Sequence, residues 1–212
     1  MDRLVNSWGS FNANAAFSFL RDNNQAPSLS SKRILTDIIK KFCRTDRISV
    51  VDLGCGNGQL YEYFIKQKLF CNYTGVDFSV PLIDAAKSIY KDDQYANFLI
   101  GDISKIEEGI GQNYDFAIFS HVIETLASPD LALLNAKKIA KRVIIRFFEP
   151  PEFEFDLVEL REMEVGDGKK VPYIRRKMSK DFYRLILTKM KCTRVEVFRD
   201  GLSNDQVHVI YY

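Results

Sequence analysis

The sequence predicts an α/β fold, a doubly wound, mostly parallel seven-stranded sheet with an antiparallel edge strand and a β-hairpin insertion after strand five. Short apolar runs alternate along the chain with segments whose apolar residues recur at helical spacing. This alternation is typical of a parallel sheet covered by helices on both faces. The chain has 212 residues, 46% hydrophobic and 27% charged, which suits one domain over residues 1–212 with one substantial core.

Residues 1–45 predict a helical arm packed on the main body. Its apolar anchors, in a segment otherwise rich in Asn, Ser and Ala, are Trp8, Phe11, Phe17 and Phe19. Ser30 or Ser31 is suited to cap a following helix. The apolar positions of that helix are Ile34, Leu35, Ile38, Ile39 and Phe42.

Residues 46–148 contain the predicted core of the sheet. Its strands are expected at 48–53, 73–78, 96–102, 114–120 and 142–148. Helices are expected from about 58 to 68, after Pro81, and from about 129 to 141. The loops that follow the carboxyl ends of such strands line the ligand crevice in open α/β sheets.

Residues 149–178 predict an insertion with opposite charges on its two halves. Residues 149–168 carry eight acids and one base, whereas 169–180 carry six bases and no acid. The sequence GDG at 166–168 favours a hairpin turn between them. One interpretation is cross-strand charge pairing on a solvated ribbon. The other is a lid over a substrate site, with Arg175, Arg176 and Lys177 available for an anion.

Residues 179–212 predict a final helix and two strands. Ser179 is suited to cap a helix over 180–190, and CTRVEVF and QVHVIYY are expected to pair at the antiparallel edge. A net charge of +2 disfavours a dedicated nucleic-acid-binding domain. The four cysteines lack metal-ligand spacing, and no apolar run reaches the length of a membrane span. We therefore expect a cytoplasmic protein with free thiols.

The stretch VVDLGCGNGQL at 50–60 is the strongest functional signal. A glycine-rich turn between a strand and a helix exposes backbone amides and the helix N-terminus to a ligand. A dinucleotide motif G-x-G-x-x-G would need a third glycine where Gln59 stands. Asp52 lies two residues before Gly54, and its carboxylate would repel a pyrophosphate. The pattern favours a ligand that is cationic at one end and approaches the backbone closely.

This pattern resembles motif I of the class I S-adenosylmethionine-dependent methyltransferases, over residues 48 to about 148 and more loosely beyond, where the C-terminal part is similar to MetW-type proteins. The resemblance implies S-adenosylmethionine as cofactor and S-adenosylhomocysteine as product. It implies that Asp52 helps to place the ammonium group, that Asp77 accepts hydrogen bonds from the ribose, and that Asp102 contacts the adenine amino group. The other implied cofactor residues are Gly54, Cys55, Gly56, Gly58, Phe78, Ile103 and Ser120. The alternative for each strand-end acid is a helix cap or a turn former.

Candidate catalytic residues follow the fourth strand, in YDFAIFSHVIETL. They are His121 and Glu124. His121 is suited to take a proton from the nucleophile, or it hydrogen-bonds the loop or the cofactor. Some relatives carry an acid-histidine pair where this chain has Glu124 and Thr125, so we expect no metal. His208 is expected to be a strand residue without a chemical role.

The resemblance implies in-line methyl transfer, and we expect a small-molecule acceptor with a hydroxyl or amine group. SHVI stands where base- and glutamine-modifying relatives carry an NPPY-type tetrad. The chain is expected to be a monomer or homodimer, with nucleic acid and membrane partners disfavoured. Three alternatives stay open, namely a tRNA methyltransferase, a nicotinamide-dependent oxidoreductase and a non-catalytic cofactor-binding subunit. The tRNA alternative would use as its phosphate contacts Lys169, Lys170, Arg175, Arg176 and Lys177.

Overall fold

The computed structural model describes residues 6–22, 29–43, 47–105, 110–111 and 113–212. Its strands are β1 Ile48–Leu53, β2 Cys71–Asp77, β3 Ala96–Ile100, β4 Phe116–Ser120, β5 Val143–Phe147, β6 Leu157–Glu164, β7 Lys170–Lys177, β8 Arg194–Arg199 and β9 Gln206–Tyr211. Within the described residues, seven of them form one sheet in the order β3-β2-β1-β4-β5-β9-β8, and β6 and β7 form a separate two-stranded sheet. The predicted fold class is confirmed.

One strand of the large sheet runs in the opposite direction to the other six. Strands β1 to β5 pair in parallel, whereas β9 runs antiparallel to both β5 and β8. The reversed strand β9 thus lies one position in from the edge, and β8 is the edge strand itself. The strand order reverses at β1 and β4, where open α/β sheets form their ligand crevice.

The helices lie where the spacing of apolar residues predicts them, apart from shifts of one to three residues at their ends. They are α1 Ala13–Asp22, α2 Leu29–Lys40, α3 Gln59–Lys66, α4 Val80–Ile89, α5 Pro129–Ile139 and α6 Lys180–Lys189. Ser179 caps α6 as predicted, because its hydroxyl accepts the Phe182 N–H. Ser30 and Ser31 lie inside the first turn of α2 and do not cap it.

Two apolar layers cover the large sheet, one on each face. One layer joins Val51, Phe119 and Ile145 to α5 and α6, and the other joins Val50 and Ile118 to α2 and α3. Strands buried on both faces explain the continuous apolar runs in the sequence. In the part of the chain that the structure covers, no helix is long and apolar enough to cross a membrane.

The hairpin of β6 and β7 lies over the crevice edge of the large sheet. Its strand β7 contacts two short 3₁₀ turns, Asn6–Ser10 and Ile123–Thr125. Its tip is held by a small apolar cluster that buries Val165 with Phe11 and Leu82. The hairpin also carries the expected charge pairs, with Lys177 Nζ 2.9 Å from Glu159 Oε1 and Arg176 Nη1 2.5 Å from Asp156 Oδ2. Charge pairing on the hairpin is therefore present, whereas the lid over a substrate site stays a prediction.

Candidate active site

The glycine turn begins where β1 ends, at Leu53. Gly54, Gly56 and Gly58 have φ angles of 85°, 56° and 87°, in the left-handed region that favours glycine. The amides of Gly54 and Cys55 both donate to the Val76 carbonyl, at 2.7 and 3.1 Å. The turn is thereby tied to β2, and α3 starts directly after Gly58.

The protein's own side chains occupy the space beside two of the three glycines. A Cβ atom on Gly54 would lie 2.5 Å from Val122 Cγ2, and one on Gly58 would lie 2.7 Å from Tyr90 Cε2. Close packing therefore requires glycine at these two positions, and the approach of a ligand stays a prediction. The Cys55 side chain is buried and faces Gly75, so this residue meets the crevice through its backbone.

Asp77, at the end of β2, holds the glycine turn in place. Its Oδ2 accepts the Gly56 N–H at 2.9 Å and its Oδ1 accepts the Ser79 N–H at 2.9 Å. Burial raises the pKa of this carboxyl group, and the backbone hydrogen bonds oppose that shift. Each oxygen keeps a second lone pair, which is the acceptor that a ribose hydroxyl requires.

Asp52 is buried at the switch point between β1 and β4. Its Oδ2 accepts the Tyr73 hydroxyl at 2.6 Å, and its buried Oδ1 has no hydrogen-bond partner among the residues that the structure describes. Burial raises the pKa of Asp52 to about 7, while the hydrogen bond from Tyr73 and the charges of Arg146 and Lys32 lower it. The carboxylate thus has one open acceptor position, as an ammonium ligand would need.

The three residues expected around adenine, Asp102, Ile103 and Phe78, differ in what they contact. Asp102 forms a turn, since its Oδ1 accepts the Ser104 N–H and hydroxyl at 2.9 and 2.6 Å. Its burial raises its pKa, but these bonds and the charge of Lys105 outweigh that effect and lower the pKa overall. Ile103 packs into the core layer, and the Phe78 ring would lie 3.9 Å from a Cβ atom on Gly9.

His121 follows β4 in the left-handed conformation, with φ of 60°. Its Nε2 lies 2.8 Å from Asp205 Oδ2 and 2.9 Å from Arg146 Nε, and its Nδ1 lies 2.7 Å from Arg146 Nη2. A neutral ring that donates from Nε2 to Asp205 and accepts at Nδ1 from Arg146 satisfies two of these contacts but not the Arg146 Nε contact, because one nitrogen cannot both donate and accept. Burial and the charge of Arg146 lower the pKa of His121 to about 3, against the opposing effect of Asp205. The ring also stacks on Phe148, with centroids 3.3 Å apart.

Glu124 is fully buried beside His121 and has an open oxygen. Its Oε1 accepts the Phe148 N–H at 2.6 Å, whereas its Oε2 has no hydrogen-bond partner in the described ranges. Burial raises the pKa of Glu124 to about 7, although backbone hydrogen bonds and Arg175 oppose the shift. Ser120, half-buried at the end of β4, pairs in register with Arg146 on β5.

The fold brings to the site residues that no sequence motif marks. Lys32 from α2, Arg146 from β5 and Asp205 from the β8–β9 loop join Asp52 and His121 in one buried charged cluster. Ser31 ties α2 to it by donating to Asp205 Oδ2 at 2.6 Å. The sequence signal for Arg146 was its position inside the apolar stretch VIIRFF, where a charged residue is unusual. Lys32 and Asp205 come from distant parts of the chain and gave no such signal.

The N-terminal segment lies directly over the glycine turn. The buried Asn57 donates from Nδ2 to the Ala16 carbonyl at 2.5 Å, and Ser79 donates from Oγ to the Trp8 carbonyl at 2.7 Å. On its other side, the amide of Asn12 donates to the Val165 carbonyl of the hairpin at 3.1 Å. The segment therefore connects the glycine turn to the hairpin.

Comparison with known proteins identifies the family. A family model described as a methyltransferase domain matches residues 44–171. The chain belongs to the class I S-adenosylmethionine-dependent methyltransferases. Its cofactor is S-adenosylmethionine, and the residues fit that group: the glycine turn, the open acceptor of Asp52 and the Asp77 carboxylate match its ammonium and ribose groups in kind.

Solved structures support the fold over nearly the whole chain. The CcbJ methyltransferase from Streptomyces caelestis has a TM-score of 0.68 at 14% identity and covers 97% of both chains. The glycopeptide N-methyltransferase MtfA complexed with S-adenosylmethionine has a TM-score of 0.63 at 13% identity, covering 89% of this chain and 95% of that one. These likenesses show that the fold of most of this chain is shared with solved methyltransferases.

A curated relative is much longer than this chain. The non-reducing polyketide synthase trt4 from Aspergillus terreus is 28% identical over 116 residues, which is 51% of this chain. The match spans 5% of the length of that synthase.

Proposed function

We propose that this methyltransferase acts on a small-molecule acceptor and that the acceptor atom is an amine nitrogen. The observation that carries the proposal is an acidic crevice beside the His121 cluster. It has a volume of about 540 Å³, a size typical of small-molecule sites. It lies between the segment after β5 and the β8–β9 loop, and Asp205 separates it from His121.

The charge of the crevice favours a cationic amine over a neutral alcohol or an acid. Four acids line it against two bases, namely Glu149, Glu152, Asp200 and Asp205 against Lys177 and Arg199. Lys177 pairs with Glu159 outside the crevice, Arg199 pairs with Glu152 at 3.3 Å and Asp205 pairs with Arg146 at 3.8 Å. Among the described residues, Glu149 and Asp200 are thus the crevice acids without an ion pair. Glu149 Oε2 is buried without a hydrogen-bond partner among the described residues, and an ammonium group would supply the missing donor.

The bound cofactor supplies a methyl group on a sulfonium, which is already a good leaving group. The chain contributes orientation, which lowers such barriers by roughly 7 to 11 kcal/mol at most, and removal of a proton from the acceptor. We assign to Glu124 the role of the base that takes this proton, because its Oε2 has no hydrogen-bond partner among the described residues whereas both nitrogens of His121 have partners. His121, the other predicted catalytic residue, then holds Arg146 and Asp205 in position.

Cofactor and acceptor can be tested separately. Calorimetry should show binding of S-adenosylmethionine and S-adenosylhomocysteine but not of NADH, and release of S-adenosylhomocysteine should depend on an added amine. Binding of NADH alone would return the chain to the oxidoreductase alternative. Cofactor binding without turnover, together with copurification of a second chain, would favour the non-catalytic subunit.

The acceptor class has its own test in matched probes. With S-adenosylhomocysteine bound, we expect phenethylamine to bind roughly tenfold more tightly than phenethyl alcohol, since each tenfold corresponds to about 1.4 kcal/mol. Glu149→Gln should remove this preference, and Glu154→Gln, at an exposed site that does not line the crevice, should keep it. Equal binding of both probes to the unmodified protein, measured by NMR titration, would contradict the amine assignment.

The tRNA alternative loses three of its five proposed phosphate contacts to partners within the chain. Arg176 and Lys177 form the ion pairs of the hairpin, and the Arg175 guanidinium lies 4.4 Å from the centre of the Phe148 ring. Steep salt dependence of tRNA binding would restore this alternative.

A further inference from the structure

Strand β6 presents an unusually exposed apolar edge. Leu157, Val158 and Leu160 are 50%, 50% and 68% exposed, within a strand of eight residues. Strand β6 pairs with β7 on one side, and no other described strand pairs with its outer edge. Unpaired edge strands with apolar side chains are the sites at which sheets associate.

The charges on β6 favour a second copy of the same strand as the partner. Two copies of β6 can pair antiparallel about a two-fold axis that is perpendicular to the sheet. Residues that face each other in such a pair point their side chains to the same side of the sheet. In each possible register, one residue therefore faces its own copy at the axis. Centring on Leu160 places Glu159 opposite Arg161 of the second copy, twice, and Leu157 opposite its Met163. Centring one residue away would place Glu159 or Arg161 against itself. Of these three registers, only the one centred on Leu160 therefore avoids like charges that face each other at residues 159 and 161.

We propose that two copies of this chain form a dimer through β6, with Leu160 facing Leu160 at the two-fold axis. The two hairpins then become one four-stranded sheet in the order β7-β6-β6-β7. Their apolar outer positions Val158, Leu160 and Ile174 lie on one face of that sheet. Because β7 contacts the 3₁₀ turn Ile123–Thr125 that carries Glu124, the dimer also braces the cover of the active site.

Register-specific cross-linking tests the interface directly. Facing residues in antiparallel strands have Cα atoms roughly 4.5 to 5.5 Å apart, a separation that a disulfide spans. With diamide as oxidant, Leu160→Cys should give a cross-linked dimer, whereas Val158→Cys alone should not. A mixture of Val158→Cys and Glu162→Cys proteins should cross-link, since these positions face each other in the proposed register. Leu131→Cys, half-exposed on α5, and the unmodified protein with its four native cysteines provide the background.

Solution measurements give an independent readout. Sedimentation should show a dimer for the unmodified chain, and Leu160→Asp should weaken it by roughly 100-fold, because it removes two apolar side chains from the centre of the interface. Leu131→Asp should leave it unchanged. A monomer at the highest soluble concentration, or cross-linking of Val158→Cys as efficient as that of Leu160→Cys, would overturn the proposal.

Discussion

Replacing Asp77 by alanine will lower the affinity for S-adenosylmethionine by at least about 100-fold. The carboxylate accepts the Gly56 and Ser79 amides, both at 2.9 Å, and it is the acceptor expected for the ribose. A hydrogen bond to a charged group contributes about 1.5 to 3 kcal/mol, so loss of the ribose contacts and loosening of the turn combine to this magnitude. Calorimetry with the cofactor measures the change.

Asp115→Ala is the matched control for Asp77→Ala. Asp115 also holds a backbone amide, that of Ser49 at 2.9 Å, but it lies at the amino end of β1, away from the glycine turn. Both variants should lose thermal stability, and Asp77→Ala alone should lose the cofactor. Equal cofactor affinity in the two variants would refute the assignment of Asp77. This test does not depend on the proposed dimer or on the proposed amine acceptor.

Glu124→Gln should lower kcat by about 10² to 10⁴, the usual contribution of a positioned general base, and leave cofactor affinity nearly unchanged. The direction in which kcat changes with pH follows from the pKa of Glu124. Burial raises the pKa of Glu124 to about 7, and the ionised form is the base, so kcat should rise as the pH increases from 6 to 8. The contribution of Glu124 to this rise should be absent in Glu124→Gln, and any rise that persists would report Asp52, whose pKa is also raised to about 7. His121, with a pKa near 3, should add no ionisation in this range.

Two further variants interpret the Glu124 result. Glu196→Gln, on edge strand β8 and bonded by the Tyr211 hydroxyl at 3.1 Å, should keep both kcat and its pH dependence. His121→Asn should lower kcat less than Glu124→Gln. If His121→Asn removed activity while Glu124→Gln kept the full rate and the same pH profile, the proton would belong to the imidazole, as the sequence analysis also allowed.

Local sequence was sufficient for the elements and for the cofactor family. The apolar runs of β1 to β5 indicated strands because both faces of a parallel sheet are buried, and the turn GDG indicated the hairpin that forms at 166–168. The spacing of Asp52, Gly54, Gly56 and Gly58 carried the family resemblance that the methyltransferase-domain model confirms. These signals lie within a few residues of one another, so a short stretch of chain encodes them.

Only the tertiary structure decided what those residues touch. Gly54 must be glycine partly because Val122, 68 positions later, fills its Cβ space, and Asp102 makes a local turn whereas Asp77 holds the cofactor loop. Arg146 and Asp205 both contact His121 although 59 positions separate them, and Lys32, 114 positions before Arg146, joins the same charged cluster. The sequence by itself determined the fold class and the cofactor family, because both depend on periodic patterns and one compact motif. The charge cluster, the acidic crevice and the exposed edge of β6 depend on contacts between distant segments, which no local pattern records.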